Sequence, residues 1–233
     1  LYKKILRPIF FLFDPEWVHD RITKTGEFLG NCRFCRFLVQ QLFSYSSPVL
    51  EQELWDIKFK NPVGLAAGFD KDAKLYSIMG SVGFGFTEIG TVTLESYKGN
   101  PKPRLYRLPK SKGLVVNYGL KNIGAKAVIE SLKKKQKNIP QVISIGRTNS
   151  PKTANLDAGI DDYYDCLKKF IDSDIGDAYE INISCPNLFG GEPFNDEISL
   201  QKLLQKIYTL NITKPVFIKM PINLSWSEFK KLV

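Results

Sequence analysis

Residues 178–187 read AYEINISCPN, a run of strand formers that ends on a cysteine held between a serine and a proline. Ala178 to Ile183 predicts a buried strand, and Asn182 to Asn187 load its end with polar groups. A thiol in such a place can be a small core residue, a metal ligand or a reactive group, and its neighbours must decide which.

Working outward, four more apolar runs have the same character: Val63 to Ala67, Phe86 to Ile89, Val142 to Ile145 and Val216 to Met220. Trp55, Ile57 and Phe59 alternate as in a further short strand. Stretches of helical period separate the runs, near Leu75 to Val82, Asn122 to Lys137, Ile160 to Ile171 and Ile198 to Leu210, and Ser225 with Glu228 forms a capping box that opens one more. Strand-then-helix repetition predicts parallel strands with helices outside. An open doubly wound sheet and a closed eight-stranded barrel both satisfy it. No GxGxxG follows the first strand, and Gly80 to Gly85 precedes a strand instead. Polar and glycine residues fall just after the strand ends, at Gly68 to Lys71, Gly90-Thr91, Gly146-Arg147, Asn182 to Asn187 and Lys219. In a barrel these ends converge on one face, so the expected fold is an α/β (β/α)8 TIM barrel, with about five of its strands present here.

At 233 residues, 43% hydrophobic and 24% charged, the chain can bury a sizeable core. The formal charge of +9 attracts nucleic acid, anionic membrane and anionic small molecules alike. The lysines are scattered, and the dense run Lys133-Lys134-Lys135 with Lys137 reads as the solvated face of a helix, so no nucleic-acid partner is expected. Cys32, Cys35, Cys166 and Cys185 are too few and scattered for a disulfide framework, which favours a reducing compartment. With only His19 available, neither CxxC zinc ligation at Cys32–Cys35 nor a three-histidine site can be completed, and no metal is expected. There is no signal peptide with a cleavage site, and the apolar run Ile5 to Phe13 is too short to span a bilayer.

The chain divides near residue 45. Residues 1–45 crowd in Tyr2, Phe10, Phe11, Phe13, Trp17, Phe28, Phe34, Phe37, Phe43 and Tyr45. Asp14-Pro15-Glu16 predicts a helix start, Gly30-Asn31 a stop, and a second short helix spans about Arg33 to Phe43. Two such helices suit a water–membrane interface, and equally suit packing on the main domain, residues 46–233.

Four strings, in order, carry a family resemblance: Asn61-Pro-Val-Gly-Leu-Ala-Ala-Gly-Phe-Asp-Lys71, Glu88-Ile-Gly-Thr-Val-Thr93, Gly99-Asn-Pro-Lys-Pro-Arg-Leu-Tyr-Arg107 and Asn182-Ile-Ser-Cys-Pro-Asn187. Together they resemble the dihydroorotate dehydrogenases, flavin enzymes of pyrimidine biosynthesis. Asp14-Pro-Glu-Trp-Val-His19 and its helices resemble the N-terminal extension of the quinone-dependent, membrane-associated branch, whose helices form a hydrophobic tunnel from the membrane to the flavin. The resemblance implies oxidation of dihydroorotate to orotate, FMN as cofactor, a membrane quinone as acceptor, and peripheral placement on the cytoplasmic side of a bacterial cell membrane.

Position by position, it implies that Cys185 is the base that removes a proton from C5 while hydride leaves C6 for N5 of FMN. The quinone branch usually has serine there and the soluble branch cysteine; a thiol reaches its basic form at lower cost than a hydroxyl. Lys71 would serve flavin and the orotate carboxylate. Ala67, Gly68, Thr91, Ser144, Asn182 and Lys219 would contact flavin, the cation of Lys219 stabilising its anionic reduced form. Asn182 and Asn187 would contact substrate, and His19 and Arg107 would line the quinone site. Two positions depart from the family: Val116 stands where a substrate-binding Asn is usual, so either the loop is shifted and Asn117, one place later, binds substrate, or that contact is lost; and Ser144 stands where the quinone branch usually has a flavin-contacting Asn.

Relatives continue through about three more strand–helix units, so the chain is expected to be a C-terminally truncated fragment, unstable alone because open strand edges and an unfinished core face water. Two other readings stand beside the quinone enzyme. One is a soluble-acceptor relative using fumarate or NAD, suggested by Cys185 and Gly190-Gly-Glu-Pro-Phe194; the other is a flavin-free, non-catalytic barrel.

Overall fold

A computed structural model describes residues 2–191, 194–222 and 224–232. Glu192 and Pro193 of the Gly190–Phe194 string lie outside the described residues.

A turn of π-helix, Tyr2–Leu6, leads into α1 (Arg7–Phe11), α2 (Pro15–Asn31) and α3 (Arg33–Phe43). The start of α2 is the predicted one: the Asp14 carboxylate accepts from the Trp17 backbone N–H at 2.8 Å, and Pro15 occupies the first helical position. Cys32 ends α2 and caps α3, its sulfur accepting from the Cys35 N–H at 3.2 Å. Cys32 and Cys35 form a disulfide, which corrects the expectation of reduced thiols; spacing of three on one helical turn brings their Cα atoms to 5.2 Å. Leu29 and Val39 pack against the core, whereas Phe28, Phe34, Phe37, Leu42 and Phe43 stay exposed.

The main domain opens with an antiparallel hairpin, β1 (Gln52–Leu54) and β2 (Ile57–Phe59). Trp55 is not in the strand that alternation predicted: with Asp56 it makes the turn at positive φ, and its ring packs edge-on against Phe217. Then follow β3 (Gly64–Leu65), α4 (Tyr76–Val82), β4 (Phe86–Val92), β5 (Leu105–Leu108), β6 (Gly113–Val116), α5 (Ala125–Lys133), β7 (Gln141–Ile145), α6 (Leu156–Asp172), β8 (Ala178–Asn182), α7 (Glu197–Tyr208), β9 (Val216–Lys219) and α8 (Trp226–Leu232). The five predicted parallel strands form one sheet in the order β3-β4-β7-β8-β9, and every pairing in it is parallel. Order follows the chain without the reversal that a doubly wound sheet requires, so the architecture is an arc of a (β/α) barrel.

Ile89, Ile143, Ile145 and Ile181 of the strands are fully buried in one core with Leu132, Leu167, Phe170 and Leu203 of the surrounding helices. Each such side chain contributes roughly 1.5–3 kcal/mol relative to an exposed one. The predicted capping box is present: the Ser225 N–H donates to the Glu228 carboxylate at 2.7 Å, and the Glu228 N–H to Ser225 Oγ at 3.3 Å. Helix α5 is shorter than its predicted span. Asn122 is held in a loop by a 2.7 Å bond from its amide to Thr93 Oγ1, and Lys134 already caps the C-terminus.

The antiparallel β5–β6 hairpin, absent from the sequence reading, ties α2 to the barrel. Arg104, just before it, donates to both carboxylate oxygens of Glu16, at 3.1 and 2.6 Å, with Lys121 adding 3.1 Å and Lys102 standing at 3.5 Å. Glu16 and Arg104 are buried. Burial opposes the Glu16 carboxylate, but hydrogen bonds from Arg104 and Lys121 overcome it and hold the group at about 2.

Candidate active site

Residues just past the strand ends meet in a cavity of about 640 Å³. Ala67, Gly68 and Lys71 follow β3; Thr91 lies near the end of β4; Asn182, Ser184, Cys185, Pro186 and Asn187 come from the end of β8, and Lys219 from the last position of β9. Its other wall is apolar: Phe10 of α1, Val18 and Ile22 of α2, and Leu105 and Leu114 of the hairpin, with His19 and Arg107 among them.

Under the polar wall runs a continuous hydrogen-bonded chain. The Asn182 amide donates to Thr91 Oγ1 at 2.7 Å, Thr91 and Ser144 hydroxyls meet at 2.9 Å, and Ser144 donates to Glu180 at 2.6 Å. Lys219 closes the chain as an ion pair with Glu180 at 3.9 Å. Burial raises the Glu180 pKa, against the Ser144 bond and the Lys219 charge. Ser144 is fully buried, with its hydroxyl engaged by Thr91 and Glu180 rather than lining the cavity.

Lys71 sits over the Tyr118 ring, 4.5 Å from the centroid. Burial, with Lys121 nearby, pushes its ammonium below the ordinary pKa. Among the described residues it makes no ion pair. Its cation is therefore available to an anion that enters the cavity.

Cys185 is half-buried and shares the wall with Asn182 and Asn187. Asn187 reaches across to the hairpin, its amide donating to Val116 O at 3.0 Å, and its carbonyl accepts from Asn100 at 3.2 Å. Asn117 stands outside the wall: its carboxamide oxygen accepts from Asn100 at 2.9 Å, so Val116 faces the cavity in the position the neighbouring Asn was expected to serve.

His19 lies edge-on to Phe69, with centroids 4.9 Å apart. Burial and the Lys71 charge push its imidazole pKa down. Arg107 donates to Phe13 O at 2.8 Å and lies over the Phe11 ring at 4.7 Å, which joins the hairpin to the N-terminal segment.

Sequence reasoning missed Tyr118, Arg104, Asn100 and Asn149. Arg104 and Asn100 were inside a quoted string but had no visible partner. Asn149 donates to Asn100 at 3.2 Å and Gly119 O at 3.2 Å, and accepts from the Phe189 N–H at 2.7 Å, so these amides set the Asn187 loop.

The wall fits a flat, polar-edged ring. Gly68 adopts φ +105°, its missing Cβ would meet nothing within 4 Å, and the space so left adjoins Thr91, Asn182 and Lys219.

Residues 49–233 match the sequence profile of the family described as dihydroorotate dehydrogenase. The dihydroorotate dehydrogenase (quinone) of Nostoc punctiforme is 34% identical over 240 residues, covering 100% of this chain and 63% of its own length. That of Synechococcus sp. is 35% identical over 240 residues, covering 100% of this chain and 62% of its own. A crystal structure of DHODH from Eimeria tenella, in complex with ferulenol, superposes with a TM-score of 0.78 at 24% identity over 94% of this chain and 62% of that one, a likeness of fold. The chain thus spans about 63% of the length of the first of these relatives.

Proposed function

This chain belongs to the dihydroorotate dehydrogenase family, and on that premise we propose that it carries the base and the substrate-binding groups of an FMN-dependent enzyme that oxidises (S)-dihydroorotate to orotate in pyrimidine biosynthesis. The observation that supports the reading is the convergence of Lys71, Asn182, Cys185, Asn187 and Lys219, from two loops and two strand ends, on one cavity.

The substrate is an anion, and Lys71 would take its carboxylate, a pairing that also relieves the burial of the ammonium. Asn182 and Asn187 would orient the ring from either side of Cys185, whose sulfur would take the proton from C5 as that C–H bond breaks. FMN, when bound, supplies the two-electron acceptor for the hydride that leaves C6. Ala67, Gly68, Thr91, Asn182 and Lys219 would hold it, with Ser144 and Glu180 fixing Thr91 and Lys219 from beneath.

A membrane quinone is the acceptor that best suits the apolar wall of Phe10, Val18, Ile22, Leu105 and Leu114, with His19 and Arg107 as its polar points. The exposed Phe28, Phe34, Phe37 and Leu42 would rest on the cytoplasmic side of a bacterial cell membrane as a peripheral anchor. No described helix is long and apolar enough to cross a membrane.

The test is anaerobic mixing of the flavin-loaded whole protein with dihydroorotate, following flavin absorbance in wild type and Cys185→Ala. Bleaching in wild type that slows by about 10²–10⁴-fold in the variant is expected for loss of a general base. Reoxidation by quinone and not by fumarate or NAD is expected next. A wild-type flavin that stays yellow refutes the substrate, and one reoxidised by the soluble acceptors alone refutes the quinone.

A further inference from the structure

The last position of the turn after β7 holds a charge that the reaction does not use. Arg147 is 0% exposed, the largest side chain of the fully buried set. It makes no ion pair among the described residues. Among the described residues its side-chain hydrogen bonds go to backbone carbonyls: Nη1 donates to Thr153 O at 2.7 Å, and Nη2 to Phe189 O at 2.6 Å and Gly191 O at 3.3 Å. Nε finds no partner among the described residues. Room for the side chain comes from Gly159 on α6, where an added Cβ would stand 3.1 Å from Arg147 Cδ.

A buried cation with no carboxylate in direct contact is expensive, and carbonyl dipoles with the more distant Asp162 charge offset only part of that cost. The placement of its partners is informative. Two of the three carbonyls belong to the loop that carries Cys185 and Asn187, and that loop continues through Gly190 and Gly191, both at positive φ. Glycines leave such a loop little stiffness of its own. Arg147 ties it to the turn Pro151–Thr153, and Cys185 lies within electrostatic range of the guanidinium.

We propose that Arg147 is a positioning residue for Cys185: its guanidinium, bonded to Phe189 O and Gly191 O, fixes the loop that bears the thiol. A cation coupled to that thiol also favours its thiolate. The inference rests on Cys185 being the base. Among the described residues, Tyr163 of α6 is also coupled to the thiol, Asp162 of α6 to Arg147, and Lys71, Lys219 and His19 line the same cavity, with Glu180 beside Lys219. Tyr163 is kept neutral by burial, and its hydroxyl is engaged with Asn182 O at 2.7 Å, so it adds no charge. Asp162 is coupled to Arg147 and offsets part of its charge, so the neutral variants are compared with Asp162 in place.

The test uses the flavin-loaded whole protein and reads Cys185 directly, by the pH dependence of its alkylation with iodoacetamide, quantified on the Cys185 peptide by mass spectrometry. Arg147→Met should raise the midpoint by about one pH unit or more, which lowers labelling near neutral pH about tenfold. Arg147→Gln, neutral but still a donor, should raise it as well and covers the case in which the methionine variant does not fold. Arg147→Lys should keep the midpoint within a few tenths of a unit while hydrogen exchange at residues 186–191 quickens. A midpoint unchanged in the folded neutral variants overturns the proposal. Alkylation needs no turnover, so a protein that fails to oxidise dihydroorotate yet shows the shift would sink the assigned reaction and leave the coupling standing.

Discussion

Replacing Glu16 by Gln removes one charge from the cluster that fastens α2 to the barrel and leaves Arg104 buried beside a neutral amide. Two routes give the size of the effect. The folded carboxyl lies at about 2 against an ordinary 4.5; that difference corresponds to about 3 kcal/mol at neutral pH. Removal of one partner from a buried pair costs about 3–5 kcal/mol by mutational experience. The sign follows from the direction of the shift. A carboxylate whose folded pKa lies below its unfolded value contributes stability that is complete well above 4.5 and is lost as pH falls toward 2. Urea unfolding of wild type and Glu16→Gln at pH 7, 5 and 3 should therefore show a gap of about 3 kcal/mol at neutral pH that shrinks to about half by pH 3. Because His19 lies three residues on, in the same helix, limited proteolysis should find α2 released first. A gap that stays constant from pH 7 to pH 3 would refute the assignment of the cluster's stability to the charge on Glu16.

Two further outcomes follow from the cavity. Lys71→Met, measured on its flavin-loaded fraction, should bind dihydroorotate about 10–100-fold more weakly, the worth of a charge-assisted contact; unchanged affinity by flavin-difference titration would remove Lys71 from the carboxylate site. His19 is pushed down by burial first and Lys71 second, so its folded pKa lies below the unfolded one and its protonation in acid opposes the folded state. NMR titration should find the imidazole neutral near pH 6.5 and its midpoint rising in Lys71→Met, and no change in that variant would disprove the coupling.

Local pattern was enough for everything that depends on neighbours in the chain. The apolar runs became β3, β4, β7, β8 and β9, the Asp14-Pro15 start and the Ser225/Glu228 box formed as read, and the strand-end residues Lys71, Thr91, Asn182, Cys185, Asn187 and Lys219 arrived at one site. Periodicity and capping act within a few residues, and a barrel's topology carries all its strand ends to one face. What the sequence by itself left undetermined depends on partners far along the chain. Glu16 finds Arg104 and Arg107 finds Phe13 O only after the β5–β6 hairpin folds back on α2. Ser144 passed from the cavity wall to the layer beneath it because Thr91 and Glu180 arrive on neighbouring strands to take its hydroxyl. Asn117 is held by Asn100, a partner 17 residues back that only the folded chain brings to it. Arg147 could be any strand-end cation until Gly159 made room for it and the Phe189 and Gly191 carbonyls closed over it. Short-range preferences choose the elements, but the environment of a buried charge is a sum over distant segments, and only the folded chain brings them together.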